Sequence, residues 1–403
     1  MPAPFDPAKL PDLADPYPDY RRYRDAGPVH PGAEPATWYV FAHAEVGRVL
    51  TGRGFGRVRP GGGPSGPVPA DRPVLRRIVE NWLVFLDPPR HTRLRALVAP
   101  AVTGHAVTAL RPRIRQIADD LVARLAERKT VDLVTDFAAP FPLLVISELL
   151  GVDRAHHAWF RARALDLQEA GSARAGRTPD GHARAERAAR ELSRYFEEEA
   201  AVRRAGDRGD LISALVRAAD DDGALTGHEL AATCVHLLTA GHETTTSLLA
   251  KAVLSLHAHP GVREELSARH ALLPAAVDEF VRHDAPVQMV TRWVYEDTEL
   301  GGHGIRAGDK LVLVLGAANR DPARFDRPDV LDIHRDTVRQ HCGFGMGIHY
   351  CVGASLARAE AEIGLAVLLE GLPALRAGAR PVVAAEYAPD WVFHGPSRLM
   401  LCL

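Results

Sequence analysis

Residues 344–353 read Phe-Gly-Met-Gly-Ile-His-Tyr-Cys-Val-Gly, and this stretch decides the fold more than any other. Its Gly-x-Gly turn leads to Cys351, and residues 354–365 have the apolar spacing of an amphipathic helix. Cys351 is therefore expected at a helix N-terminus, where unpaired N–H groups and the positive end of the helix dipole favour a thiolate. Such a thiolate could act as a nucleophile, a redox centre or an axial metal ligand.

The composition indicates a globular protein of the reducing cytoplasm. The chain has 403 residues, 25% charged, with a formal net charge of −2. No basic block dominates any segment, which disfavours a nucleic-acid partner. The four cysteines have irregular spacing without a Cys-x-x-Cys pair, which argues against a disulfide framework or a structural zinc site. Because we see no signal peptide and no apolar run of membrane-spanning length, we expect a cytoplasmic protein without membrane insertion.

Hydrophobic periodicity predicts a mainly α fold with small β-sheets, in a single domain over residues 1–403. Three- and four-residue apolar spacing predicts helices, and short β-like runs predict strands. Two stretches have loop composition. The predicted helices are Leu143–Leu150, Ala155–Glu169, Ala183–Arg204 and Leu211–Ala219; the strands are Thr37–Phe41, Lys310–Leu315 and one in the last dozen residues; the loops are Arg59–Pro67 and Gly171–Gly181.

The longest predicted element is a central helix. Thr226 and Glu229 fit a capping box, and the helical pattern continues to His259, where Pro260 ends it. Such a helix of about 31 residues spans roughly 45 Å, enough to cross the whole domain. Its middle, residues 240–246, reads Ala-Gly-His-Glu-Thr-Thr-Thr, a run of poor helix formers. We interpret this run as a place where function overrides helix propensity.

Together these segments resemble the cytochrome P450 family of heme-thiolate monooxygenases, in its soluble bacterial form. Phe344-Gly-x-Gly-x-His-x-Cys-x-Gly353 matches the family's ligand loop, and Glu279-Phe-Val-Arg282 resembles its Glu-x-x-Arg pattern, with Arg335 as the expected third member of a buried ion network. The resemblance implies a P450-like fold built around the long helix over a buried heme b (iron protoporphyrin IX), with Cys351 as the iron ligand.

The resemblance also implies which residues hold the two heme propionates. Four residues match the family positions that supply cationic or donor partners, and a buried carboxylate requires such partners. They are His91 and Arg95 after the Asp87-Pro-Pro segment, Arg292 after Ala285-Pro286, and His349.

For catalysis the resemblance implies an acid and alcohol pair on the central helix. Thr244 is expected to donate a hydrogen bond to the O2 being activated, and Glu243 to relay protons from solvent. The alternative for Thr244 is a hydroxyl that bonds back to the preceding turn. Electrons are expected from a ferredoxin and its reductase. A basic segment could attract that acidic partner, or could be a solvated surface: Arg90, Arg93, Arg111, Arg113 and Arg115.

The implied substrate is a mostly hydrophobic small molecule, a secondary metabolite or its precursor, with Gln288 and His394 as candidate polar anchors. Hydroxylation or epoxidation is the expected reaction. The alternatives are oxidative coupling or desaturation on the same fold, a non-enzymatic heme or gas sensor, and, apart from the family, a helical protein with a reactive cysteine. Cys342 could lie near the heme, whereas Cys234 and Cys402 fit the role of ordinary packing residues.

Overall fold

The computed structural model describes residues 2–62, 68–168, 180–222, 225–376 and 382–403. In this part of the chain fifteen α-helices and ten β-strands are present. The helices are α1 Tyr17–Ala26, α2 His43–Thr51, α3 Pro73–Glu80, α4 Arg90–Val98, α5 Gly104–Ala126, α6 Pro140–Leu150, α7 His157–Gln168, α8 Gly181–Ala205, α9 Leu211–Asp222, α10 Gly227–Ala258, α11 Pro260–Ala268, α12 Leu273–His283, α13 Leu315–Ala318, α14 Ala354–Gly371 and α15 Pro373–Arg376. The strands are β1 Val29–Pro31, β2 Thr37–Val40, β3 Phe55–Gly56, β4 Thr130–Asp132, β5 Met289–Val294, β6 Thr298–Leu300, β7 His303–Ile305, β8 Lys310–Val314, β9 Val382–Tyr387 and β10 Pro396–Cys402.

The strands form three small sheets. A five-stranded sheet has the order β1-β2-β8-β5-β3, in which β2 and β8 are parallel and the other neighbours are antiparallel. A three-stranded sheet has the order β4-β10-β9, and β6 pairs with β7. The mainly α class with small sheets is confirmed, and so are the predicted strands at residues 37–41, 310–315 and the C-terminus.

Helix α10 is the centre of the helical layer and packs against α6, α8, α12 and α14. Thr226 caps it, and both hydrogen bonds of the capping box with Glu229 are present. His259 is the C-cap, directly before Pro260. The central helix is therefore confirmed at both ends. Most of its residues from Leu230 to Leu256 are buried, and the buried apolar ones belong to the main hydrophobic core, which also receives residues of α5, α6, α8 and α14.

The other predicted helices are confirmed as α6, α7, α8 and α9. Residue 169, at the predicted end of the second of them, lies outside the described residues, as do 63–67 and 171–179 of the two predicted loops. None of the helices in the described ranges combines the length and apolar character that crossing a membrane requires. The single-domain organisation stays a prediction.

Candidate functional site

The loop before α14 is shaped by glycines and fixes the position of Cys351. Gly345 and Gly347 have φ of 71° and 66°, a left-handed conformation that glycine adopts without steric cost. A Cβ on Gly347 would also lie 2.5 Å from the Leu50 carbonyl oxygen of α2. The Cys351 N–H donates to the Phe344 carbonyl at 2.8 Å, which closes the loop on itself. The predicted Gly-x-Gly turn therefore holds Cys351 three residues before α14.

Cys351 is exposed as a residue, but enough protein lies around its sulfur to desolvate the thiol. Burial raises the pKa of its thiol, and the Gly353 N–H, Arg95 and Arg358 oppose that rise only in part. The helix start and the two arginines therefore favour the thiolate, but they do not by themselves bring the pKa of the thiol below its ordinary value. A thiolate at this position requires a further cation to stabilise it, and an iron ion bound by the sulfur would be such a cation.

Four predicted cofactor partners come together from three parts of the chain. His91 and Arg95 lie one turn apart on α4, Arg292 lies in β5, and His349 lies in the turn before Cys351. The rings of His91 and His349 are 4.2 Å apart between centroids. Burial lowers the pKa of His91 to about 4, and repulsion from His349, Arg95 and Arg292 adds to this effect. His91 is therefore uncharged at neutral pH, and the positive charge of this cationic group lies on its arginines.

Two observations show that this group of side chains suits an anion. His91 is 1% exposed, and neither of its ring nitrogens has a hydrogen-bond partner within the described ranges. Arg292 is 5% exposed; its Nη1 donates to the Thr291 carbonyl at 2.8 Å, and burial lowers its pKa to about 10. Buried donors and mutually repelling cations are stabilised by a carboxylate between them. The residues present therefore fit the two propionates of a heme.

Sequence reasoning missed Asp87, which organises one side of this group. Its carboxylate accepts hydrogen bonds from the N–H groups of Arg57 and Val58 and from the Tyr295 hydroxyl, at 2.6–3.0 Å, and lies 3.9 Å from the His349 ring nitrogen Nε2. Burial alone would raise the pKa of Asp87, but these donors hold it below its ordinary value. Asp87 therefore stays ionised beside the cationic group.

Arg57, directly after β3, is a second residue that the sequence did not reveal. Its guanidinium donates to the Val84 carbonyl at 2.8 Å and to the Thr291 hydroxyl at 2.9 Å. Burial lowers its pKa to about 9, and the nearby Arg292 contributes to that effect. Arg57 thus adds another buried cation and joins the segment before Asp87 to β5. Its partners lie 27 and 234 residues away, so local sequence carries no signal for it.

On α10 one turn is open while its neighbours are buried. Ala240 is exposed and Gly241, Glu243 and Thr244 are half-buried, whereas residues 245–250 are buried. The Thr244 hydroxyl donates to the Ala240 carbonyl at 3.0 Å. This bond is the alternative considered for Thr244, and it keeps the hydroxyl on the open face of the helix. The structure therefore places the acid and alcohol pair at an accessible turn of an otherwise buried helix.

The buried ion network predicted around Arg282 is confirmed. Arg282 and Glu279 are both fully buried and form two hydrogen bonds of 2.7 Å. The remaining Arg282 donors reach the carbonyls of Asn319, Pro328 and Val330. Arg335 approaches Glu279 at 3.4 Å. This network ties α12 to the segment that precedes the Cys351 loop.

The basic segment is paired with acidic residues of the protein, and whether it docks a partner stays a prediction. Each of its five arginines forms an ion pair with a carboxylate, which lowers the net positive charge of the segment. Arg90 and Arg93 pair with Glu229, Arg111 with Glu362, Arg113 with Glu148, and Arg115 with Asp119 and Glu370.

Three other candidates are structural. Gln288 and His394 are fully buried; Gln288 donates to the Tyr17 hydroxyl and the Ala285 carbonyl, and His394 contacts the Leu13 carbonyl. Cys342 is fully buried, its sulfur lies 3.1 Å from the Asn319 side-chain oxygen, and burial raises its pKa to about 12. These contacts leave Gln288 and His394 unsuited to anchor a substrate and Cys342 unsuited to ligate iron.

Comparison with known proteins agrees with this geometry. The sequence model of the family described as Cytochrome P450 matches residues 176–372. The chain is 40% identical to "Cytochrome P450 monooxygenase PikC" of Streptomyces venezuelae, over 91% of this chain and 86% of that protein. It is 36% identical to "Mycinamicin IV hydroxylase/epoxidase" of Micromonospora griseorubida, over 98% and 97% of the two chains. The crystal structure of CalO2 superimposes with a TM-score of 0.88 at 34% identity, over 99% and 98% of the chains.

Proposed function

Because this chain belongs to the cytochrome P450 family of heme-iron monooxygenases, we propose that it inserts oxygen into a mostly hydrophobic secondary metabolite or its precursor. The family uses O2 and a redox partner. The observation that carries the proposal is the joint placement of an accessible Cys351 and a buried cationic group in one fold.

We propose heme b as the cofactor, with Cys351 as its axial ligand. A heme of this type carries two propionates, and His91, Arg95, Arg292 and His349 would hold them. When bound, the heme supplies the iron at which O2 is activated with two electrons. Arg57 and Asp87 would hold the cationic group in position, since Asp87 binds the Arg57 backbone and Arg57 binds the strand that carries Arg292.

We propose that Glu243 relays protons from solvent and that Thr244 donates a hydrogen bond to the O2 being activated. Their half-buried positions beside the exposed Ala240 leave both within reach of solvent and of the interior. The Thr244 hydroxyl donates back to Ala240 in this structure, and its lone pairs can accept a hydrogen bond from water. A rotation of this hydroxyl would turn its hydrogen toward O2, and Glu243, one residue earlier, is the group that would pass protons inward from solvent.

A ferredoxin is the proposed electron donor. Beside Cys351 the loop exposes two large apolar side chains, Ile348 at 54% and Tyr350 at 38%. The Arg358 guanidinium donates to the Tyr350 hydroxyl, and Arg339 is exposed nearby in sequence. We propose that this exposed apolar patch contacts the ferredoxin, and that the arginines of the basic segment and of this loop, although paired with carboxylates of the protein, add to its attraction.

The substrate class is supported by two relatives, the monooxygenase PikC and the mycinamicin IV hydroxylase/epoxidase. The second of them is named for a specific compound that it oxidises. We propose mycinamicin IV and other hydrophobic secondary metabolites as the first compounds to test.

The decisive experiment supplies purified protein, a ferredoxin, its reductase and ¹⁸O2 with mycinamicin IV and a panel of other hydrophobic secondary metabolites. Incorporation of one ¹⁸O atom into a product supports oxygen insertion. A product that has lost two hydrogens without gaining ¹⁸O would instead establish desaturation or coupling. Electron consumption that no compound stimulates would favour a heme sensor. The Cys351→Ala variant is the control, because it should give none of these products.

A further inference from the structure

Helix α3, which precedes the Asp87 segment, does not cap its own N-terminus. Arg72 is at the N-cap position and, within the described part of the chain, its side chain makes no capping bond. Pro73 has no N–H, and the Arg76 N–H bonds the Arg72 carbonyl. The N–H groups of Val74 and Leu75 therefore need an acceptor from elsewhere.

Glu186 of α8 provides both acceptors. One carboxylate oxygen lies 3.3 Å from the Val74 nitrogen and the other lies 2.8 Å from the Leu75 nitrogen. Glu186 is 7% exposed, and Arg190, one turn later, donates to it at 2.8 and 3.1 Å. A buried carboxylate aligned with the positive end of a helix dipole is a strong electrostatic contact. Helix α3 is thus attached to α8 through a side chain that lies 111 residues away.

The other end of the α3 segment reaches the candidate site. Trp82 stacks on His236 of α10, with ring centroids 5.2 Å apart and planes at 15°, and on Phe85 at 6.2 Å and 9°. His236 lies four residues before Ala240 and so shares a helix face with the open turn. The Val84 carbonyl accepts the hydrogen bond from Arg57. Residues 73–85 therefore extend from α8 to the open turn and the cationic group.

We propose that Glu186 is a positioning residue: by holding the start of α3, it keeps the segment from Trp82 to Phe85 in place as a wall beside the open turn of α10. This inference rests on the proposed function, because that wall would face the substrate. Glu186 does not itself touch the substrate. Its effect is expected on bulky ligands, which contact the wall, and not on small ligands, which reach the iron without contacting it.

Hydrogen exchange of the heme-loaded protein tests the attachment itself. In Glu186→Ala the amides of residues 74–85 should exchange about fivefold to thirtyfold faster, the range that corresponds to loss of a helix cap. Glu186→Gln, which retains one acceptor oxygen, should fall between this variant and the wild type. Glu198→Ala removes an exposed carboxylate from the same helix and is the matched control, with unchanged exchange.

Azole binding tests the consequence for the pocket. The affinity for 4-phenylimidazole, followed by the heme spectrum, should fall about fivefold in Glu186→Ala, whereas the affinity for imidazole should change less than twofold. Equal weakening of both azoles, or unchanged exchange in residues 74–85, would overturn the proposal. If the wild-type protein showed no heme spectrum, the proposed function would fail, and the same exchange comparison on the purified heme-free protein would still decide whether Glu186 holds α3.

Discussion

Replacing Glu229 by Gln removes one negative charge at the start of the central helix and changes little else. The Glu229 carboxylate closes the capping box with Thr226 and accepts from Arg93 at 2.6 and 3.3 Å and from Arg90 at 3.2 Å. Gln also serves at this position of a capping box, so the variant isolates the loss of charge. The two arginines would then lose their charged partner.

The size of the effect follows from the pKa of Glu229. Burial alone would raise it, but the hydrogen bonds from Arg93, the Thr226 N–H and Arg90 lower it from 4.5 to about 2. That difference corresponds to about 3 kcal/mol of stabilisation of the ionised form. Because both guanidinium groups also reach solvent, we expect the free energy of unfolding of Glu229→Gln at pH 7 to fall by about 2 kcal/mol.

The pH dependence has a definite sign. A carboxylate whose pKa is lowered by folding stabilises the protein fully above its unfolded pKa, and this stabilisation is lost as the pH falls toward the folded value. The difference between wild type and Glu229→Gln should therefore stay constant from pH 8 to 6 and shrink between pH 4.5 and 2.

Urea unfolding of the heme-loaded protein, followed by circular dichroism and by the heme absorption, measures this difference where the two transitions coincide. Glu370→Gln is the matched control, because Glu370 and its partner Arg115 are both about 40% exposed, and it should cost less than about 0.5 kcal/mol. Equal midpoints for wild type and Glu229→Gln at pH 7, or a difference that grows with acid, would refute the reasoning.

Three further substitutions test other parts of the account. Thr244→Ala should raise peroxide release relative to product, measured against NADPH consumed, whereas Thr246→Ala, which removes a buried hydroxyl that bonds back in the same way, should leave that ratio unchanged. Asp87→Ala should lower the free energy of unfolding by about 3 kcal/mol because three donors lose their acceptor, and Tyr295→Phe by about 1 kcal/mol; equal values would contradict the assigned contacts. Arg282→Lys keeps the charge but has fewer donors than the five hydrogen bonds require, so urea unfolding should show a loss of about 3 kcal/mol; a wild-type midpoint would argue against the network.

Features encoded by neighbouring residues were predictable from the sequence. Each end of α10 is determined by residues that are close in sequence, the capping box at its start and Pro260 after its end. Gly345 and Gly347 likewise determine the conformation of the Cys351 loop. Arg282 and Glu279 are three residues apart on one helix, so their pairing is a local property. The resemblance to the family then supplied the partners of the cofactor.

The site features that could not be predicted from the sequence depend on contacts between distant segments. Asp87 bonds Tyr295 across 208 residues, and nothing around either residue indicates the other. The ion pairs of the basic segment were unpredictable for the same reason, since Arg93 and Arg111 meet their carboxylates 136 and 251 residues away. The thiol of Cys351 was expected to ionise from its helix position, but desolvation depends on the surrounding fold and raises its pKa.

The measurement that tests the central claim most directly is the absorption spectrum of the reduced protein with carbon monoxide. The account predicts a red-shifted band in the wild type and in Cys342→Ala, and its loss in Cys351→Ala, because Cys351 is the proposed thiolate ligand. A Cys351→Ala protein that keeps the red-shifted band would contradict the assignment of Cys351 and with it the proposed site.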